Sequence, residues 1–188
     1  SKLITRKAAK KEVMSNQITQ IENEINKLKT KGLDIFLVAA KSILHTHPAV
    51  KFVITLHESH ERLQSARVLA SRNLGSSVEI FGVVNNMAEL MANADVVVAP
   101  FRSTEGVSDI PLVVLEAMAL GKPVVASKLD GIKEAVSDGE NGVLVDLNHP
   151  DELASAVNDL LNDPNLREEM GYQAVSCVKK FSYSEISR

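Results

Sequence analysis

The sequence predicts an α/β fold, a doubly wound parallel sheet in one domain, preceded by an N-terminal helix. Three observations predict it. From Lys31 onward, short β-branched runs alternate with segments of helical periodicity. The runs are almost continuously apolar, as strands of a parallel sheet covered on both faces are. The 188 residues give room for one domain with a substantial core and little room for two.

Residues 1–30 differ in texture from the rest. They hold neither Gly nor Pro, begin with the basic residues Lys2, Arg6, Lys7, Lys10 and Lys11, and read as helix. Met14, Ile18, Ile21, Ile25 and Leu28 recur at steps of four and three, which predicts an amphipathic helix lying on this domain or on a neighbour. Self-association through the stripe and basic contact with a membrane surface are the other readings. The boundary is set at Lys31, with residues 31–188 forming the α/β unit. Its strands are expected at Lys51–Leu56, Val78–Phe81, Asp95–Ala99, Pro123–Ala126 and Gly142–Val145. Helices are expected at Leu33–His45, Glu58–Leu74, Met87–Ala94, Leu112–Leu120, about Asp151–Leu161 and about Asn165–Phe181. Such repetition gives right-handed crossovers, with ligands bound beyond the carboxyl ends of the strands.

Composition narrows the function classes. A formal net charge of -3 argues against a nucleic-acid binder, which carries a strong basic excess. Cys177 is the only cysteine, so no intrachain disulfide forms and a reducing cytosol is the natural setting. No apolar run approaches membrane-spanning length, and no signal peptide is visible.

Chemistry concentrates between Val96 and Asp146. The polar loop Pro100–Ile110 (PFRSTEGVSDI) follows a strand, and Pro111 opens the helical run LVVLEAMAL, which Gly121 ends. Ser108 or Asp109 is placed to cap that helix. Glu116 shares its helical face with Leu112, Val113, Ala119 and Leu120, an apolar setting in which a carboxylate needs a partner. That partner is either a basic group or amide of the domain, or the hydroxyls of a bound ligand. The amides around Ile110, Pro111, Leu112 and Val113 open a helix, where the dipole favours phosphate. A ribose on Glu116 and phosphates on those amides would make a nucleoside-diphosphate site. Neither G-x-G-x-x-G nor the P-loop pattern is present. His57-Glu58-Ser59-His60 has a spacing that suggests metal, but histidines near a helix start are common on surfaces, and no metal site is assigned there or at His45 and His47.

The string from Pro100 through Ser127, with L-E-A-M-A-L-G-K-P-V-V-A at its centre, closely resembles the signature of the retaining, glycogen-synthase-like glycosyltransferases of the GT-B fold. The resemblance runs on through Asp130–Gly131–Ile132–Lys133–Glu134, Asp138–Gly139–Glu140–Asn141–Gly142, Asp163–Pro164–Asn165–Leu166–Arg167 and Phe181–Ser182–Tyr183. Upstream, Lys31–Gly32–Leu33–Asp34 is similar to the family's K-G-x-D, so the match covers about residues 31–188. It implies a Rossmann-like domain, the donor-binding half of a two-domain enzyme. It also implies transfer of a sugar from a nucleotide diphosphate donor with retained configuration, no cofactor beyond that donor, and no metal. Acceptor recognition would belong to an N-terminal domain this chain lacks, so transfer by the chain alone is expected to be weak or absent. Many relatives build polysaccharides on lipid carriers, which implies a cytoplasmic protein at the inner membrane face.

Residue by residue, the family's ribose-binding glutamate falls on Glu116. Its partner in the E-x7-E pattern falls on Ser108, a departure from the family, and Asp109 stands where glycine is usual. Glu105, Ser108 and Asp109 are therefore the candidates for the donor-side catalytic position, with Glu105 supplying the carboxylate if the loop carries an insertion. Lys31 is the candidate phosphate ligand. Gly82 and Val83 open the loop expected to seat the base through main-chain contacts. The family's short basic strand just before the Lys31 position is expected to be missing or replaced, because Ile21–Thr30 reads as helix.

Overall fold

The computed structural model describes residues 31–103 and 110–179. The N-terminal helix expected over residues 1–30, and the candidates Glu105, Ser108 and Asp109, lie outside the described residues. So does the Phe181–Ser182–Tyr183 ending.

Five parallel strands alternate with helices. The order is α1 (Leu33–Thr46), β1 (Phe52–Thr55), α2 (His60–Leu74), a short 3-10 turn, β2 (Val78–Phe81), α3 (Met87–Ala92) and β3 (Val97–Ala99). Then follow α4 (Leu112–Ala119), β4 (Val124–Ser127), α5 (Asp130–Ala135), β5 (Val143–Val145), α6 (Pro150–Asn162) and α7 (Pro164–Val178). Every predicted strand and helix of this part is present within a few residues. The short helix α5 went unpredicted, since six residues of D-G-I-K-E-A carry too little periodicity to declare themselves.

The described strands pair in two groups, all parallel. Among the described residues β1 pairs with β2, and β3–β4–β5 form a second parallel sheet with β4 in the middle. No described strand bridges β1 and β3. The second sheet is doubly covered, as predicted. Along β4, Val125 belongs to the core that includes residues of α1, α2 and α6, while Val124 and Ala126 belong to the core that includes residues of α4, α5 and α7, so a period of two serves two cores. All four β4 residues are buried. The first sheet departs from the prediction of burial on both faces. Phe52 and Ile80 are buried on one side, but Val53 and Phe81 on the other are 47% and 40% exposed.

Several motif residues hold the fold itself. Asp163 accepts from the amide of Leu166 at 3.0 Å and caps α7, and Pro164 occupies its first turn, where no amide donor is needed. Arg167 reaches back to the Leu161 carbonyl at 3.1 Å and to that of Leu160, closing the end of α6. In the Asp138–Gly142 turn, Asp138 accepts from Leu144 at 2.8 Å. Buried Asn141 accepts from the Ser137 amide at 2.7 Å and donates to the Ala135 carbonyl. A Cβ on Gly142 would lie 2.9 Å from the Val124 carbonyl oxygen, so only glycine lets this turn sit against β4.

Candidate functional site

Three segments meet beyond the carboxyl ends of β1, β3 and β5. Gly32 stands before α1 with φ 73, a left-handed conformation, and a Cβ there would lie 1.7 Å from the Pro100 carbonyl oxygen. The start of α1 is therefore seated directly on the chain that leaves β3. Arg102 fastens the same junction. Its Nη2 donates to Asp34 in the first turn of α1 at 2.8 Å, and its Nε donates to Asn148, after β5, at 2.7 Å. Asn148 takes the left-handed φ of 63 that asparagine tolerates better than most residues. The loop carrying residues 104–109 thus starts from an anchored point.

Lys31 lies at this junction, and it is paired. Its Nζ is 2.8 Å from Glu58 Oε1, while Arg62 binds the other oxygen of the same carboxylate. The Glu58 side chain is only 7% exposed. Burial pushes its pKa up, but hydrogen bonds from Lys31 and Arg62 outweigh that and hold the carboxyl below its ordinary value. The His57–His60 segment accordingly supplies a salt-bridge anchor: Ser59 caps α2, and Glu58 collects two cations. The i,i+4 spacing of Glu58 and Arg62 at a helix start was the available sequence signal for this pair. Sequence gave no comparable signal for the Arg102–Asp34–Asn148 tie, whose members lie far apart in the chain.

At α4 the structure corrects two expectations. The N-cap falls on Pro111, which has no side-chain acceptor, rather than on Ser108 or Asp109. Pro111 is buried and Ile110 partly so; Leu112 is 65% exposed and Val113 partly buried. The first-turn amides, Leu112 and Val113 among them, have no intrahelical acceptor by the geometry of any helix start. The second correction concerns Glu116. The buried stripe of α4 is Val114, Ala117 and Met118, and the face with Leu112, Glu116, Ala119 and Leu120 is open to solvent. Glu116 needs no internal partner, because water replaces the core that was expected there. Its carboxylate is left accessible one turn into the helix.

Gly82 and Val83 follow β2, also at a carboxyl end; Val83 is 76% exposed, and Gly82 packs close to Leu63. The Gly32–Pro100 contact brings Lys31 to the chain that leaves β3. No described contact joins Gly82 or Val83 to that junction. Among the described residues, one group of potential metal ligands lies close together, Asp146, His149 and Glu152, all exposed. Asp146 there is already paired with Lys128 at 2.9 Å.

A parallel α/β unit of this kind is the architecture of one half of a GT-B glycosyltransferase. The chain belongs to the glycosyl transferases group 1 family, whose model matches residues 24–163. That match begins before the Lys31 boundary drawn from sequence. Among relatives, a D-inositol 3-phosphate glycosyltransferase of Paenarthrobacter aurescens is 32% identical over 163 residues, covering 82% of this chain and 38% of the relative. The structure of Anabaena HepE in complex with UDP superposes with a TM-score of 0.71 at 26% identity, covering 81% of this chain and 41% of that one. The C-terminal domain of a group 1 glycosyl transferase from Francisella tularensis shares the fold. It superposes with a TM-score of 0.70 at 24% identity, with 82% of each chain covered. The chain spans about two fifths of the length of curated relatives it matches. No helix among the described residues is long and apolar enough to cross a membrane.

Proposed function

We propose that residues 31–188 bind a nucleotide diphosphate sugar and serve as the donor half of a retaining glycosyltransferase. One observation carries the proposal: the start of α1, the chain leaving β3 and the cation Lys31 converge at one sheet end. That is the end from which the chain leads to the open N-terminus of α4 and to Glu116. Glu116 accepts hydrogen bonds from the ribose hydroxyls. The amides of Leu112 and Val113 and the Ile110–Pro111 approach face the diphosphate, aided by the positive end of the α4 dipole. Lys31 adds a second positive group, and the loop of Gly82 and Val83 lies against the base. A side chain of the 104–109 loop, Glu105 or Asp109 with Ser108 beside them, orients the sugar.

In transfer, the bond between the sugar's anomeric carbon and the diphosphate breaks, the acceptor hydroxyl oxygen bonds to the same face of that carbon, and the hydroxyl proton passes to the departing diphosphate. Negative charge accumulates on the departing diphosphate, and helix amides with Lys31 stabilise it without reorganising at the moment of reaction. Apart from the donor, no cofactor or metal is assigned. The acceptor is held by an N-terminal domain outside this sequence, so the chain alone binds donor but turns it over poorly. Placement at the cytoplasmic membrane face, with the basic stretch of residues 1–30 as the contact, belongs to the same reading. Ser108, where a glutamate is usual, favours a second reading: a nucleotide-sugar-binding module without transfer. Appearance of transfer on Ser108→Glu in the complete two-domain protein would select it.

The test is a thermal-shift series with UDP, GDP and ADP on the wild-type chain and on Glu116→Ala. Ligand at about 100 times its dissociation constant adds roughly 2.7 kcal/mol, or a shift of about 5–10 °C for a domain of this size. One diphosphate should stabilise the wild type and not Glu116→Ala. No shift with any of them in a cooperatively folded chain would sink the donor-site reading.

A further inference from the structure

Among the described residues, Lys31, Glu58 and Arg62 form a cluster whose charges do not balance. One carboxylate, almost wholly buried, serves two cations, Lys31 on Oε1 and Arg62 on Oε2. A purely structural ion pair needs one cation, and a second leaves an excess positive charge in a half-buried setting, where it is costly without a counter-ion. The neighbouring acid Glu61 does not supply that counter-ion at close range: it is exposed and its carboxylate is engaged with Ser59 and its own backbone amide. Asp34, also in this region, is paired with Arg102.

Arg62 is not saturated. Its Nη1 is spent on Glu58, while its Nε is buried and has no partner among the described residues. A guanidinium presents five donors in a planar fork suited to phosphate, and among the described residues Lys31 gives one of its three N–H donors, to Glu58. Because each binds an oxygen of the same carboxylate, Glu58 holds the two cations as neighbours on one group. The cap on Ser59 fixes the α2 start from which Arg62 reaches back to Glu58.

We propose that Arg62 is a second phosphate-binding cation of the donor site, with Glu58 the positioning residue that holds it beside Lys31. The proposal rests on the donor-site reading and adds a residue to it. The diphosphate bridges Lys31 and Arg62, completing the charge balance that the bare cluster lacks. Glu58 stays in place between them and sets their separation.

The experiment is isothermal titration of the full chain with inorganic pyrophosphate, UDP, GDP, ADP and the matching nucleosides, for wild type, Arg62→Ala, Arg62→Lys and Glu116→Ala. Loss of charge-assisted hydrogen bonds to one phosphate in Arg62→Ala should weaken pyrophosphate and the preferred nucleotide by about ten- to a hundredfold. Nucleoside binding should stay at its wild-type value, and Arg62→Lys should recover part of the loss because it keeps the charge but not the fork. Glu116→Ala should show the converse pattern, losing nucleotide affinity while keeping pyrophosphate. Thermal melts establish that each variant is folded; if Arg62→Ala is not, Arg62→Lys alone must show the partial loss. Wild-type pyrophosphate and nucleotide affinity in folded Arg62→Ala, with the wild type itself binding, would overturn the role of Arg62 and leave the donor site standing. Failure of the wild type to bind any nucleotide would bring down the donor-site reading, and this assignment with it.

Discussion

The two sheets of this molecule are built to different standards. In β3–β4–β5 both faces are covered, and the central strand is buried at every residue. In β1–β2 one face is packed by α1 and α2 and the other leaves Val53, Glu79 and Phe81 largely exposed. The comparison separates what stabilises the domain from what it presents. The doubly covered half supplies the rigid base from which α4 projects an open face, including Glu116. The half with one bare face contributes the Glu58 cluster at its strand ends, a polar feature fixed by salt bridges rather than by core.

The largest expected effect tests the doubly covered half. Met118 of α4 is fully buried in the core that also holds Val124 and Ala126 of β4, and Met118→Ala should cost about 2–5 kcal/mol, read as a lowered midpoint in urea. A cost below 1 kcal/mol would mean that this half is no better packed than the other. Gly32→Ala comes next. The added methyl meets both a positive φ and the Pro100 carbonyl oxygen, so about 1–3 kcal/mol should be lost. Nucleoside-diphosphate affinity should fall with it, because the α1–β3 junction must open. Unchanged affinity would detach the site from that junction.

A smaller effect concerns acid. The Glu58 carboxyl titrates below its ordinary 4.5 in the folded chain, so the unfolded chain binds its proton first as pH falls. Its contribution is therefore present above about pH 4.5 and is lost as pH drops through the folded value. Glu58→Gln should flatten that part of the stability–pH curve; an unaltered acid slope would show that the two salt bridges do not persist in solution. Smallest of all, Val53→Thr on the bare face of β1 should change stability by less than about 0.5 kcal/mol in the same urea titration. A loss of several times that would reveal that something covers this face.

The sequence made the covered half legible because packing there obeys simple periods. Val124–Ser127 is apolar without a break because two cores claim alternate residues, and L-E-A-M-A repeats at the spacing α4 needs. The same logic misled at β1 and β2, where V-I and E-I-F look apolar enough for two cores but serve one. It misled at Glu116 as well, since a helix of mostly small and aliphatic residues does not announce which stripe is buried. The Arg102–Asp34–Asn148 tie was not legible, because nothing in local sequence records a contact across 46 or 68 positions. The candidate carboxylates of the 104–109 loop rest on motif spacing alone.

The central claim is that a nucleoside diphosphate binds across the carboxyl ends of the strands. Titrating the isotope-labelled chain with UDP, GDP and ADP in turn, and following backbone amide resonances, tests it most directly. The account predicts that one of them shifts Lys31, Gly32, Gly82, Val83, Leu112, Val113 and Glu116, and leaves α6 and the outer side of α2 unmoved. Shifts confined instead to the groove of about 420 Å³ formed by Arg67, Ser71, Ile80 and Phe81 between α2 and β2 would contradict it.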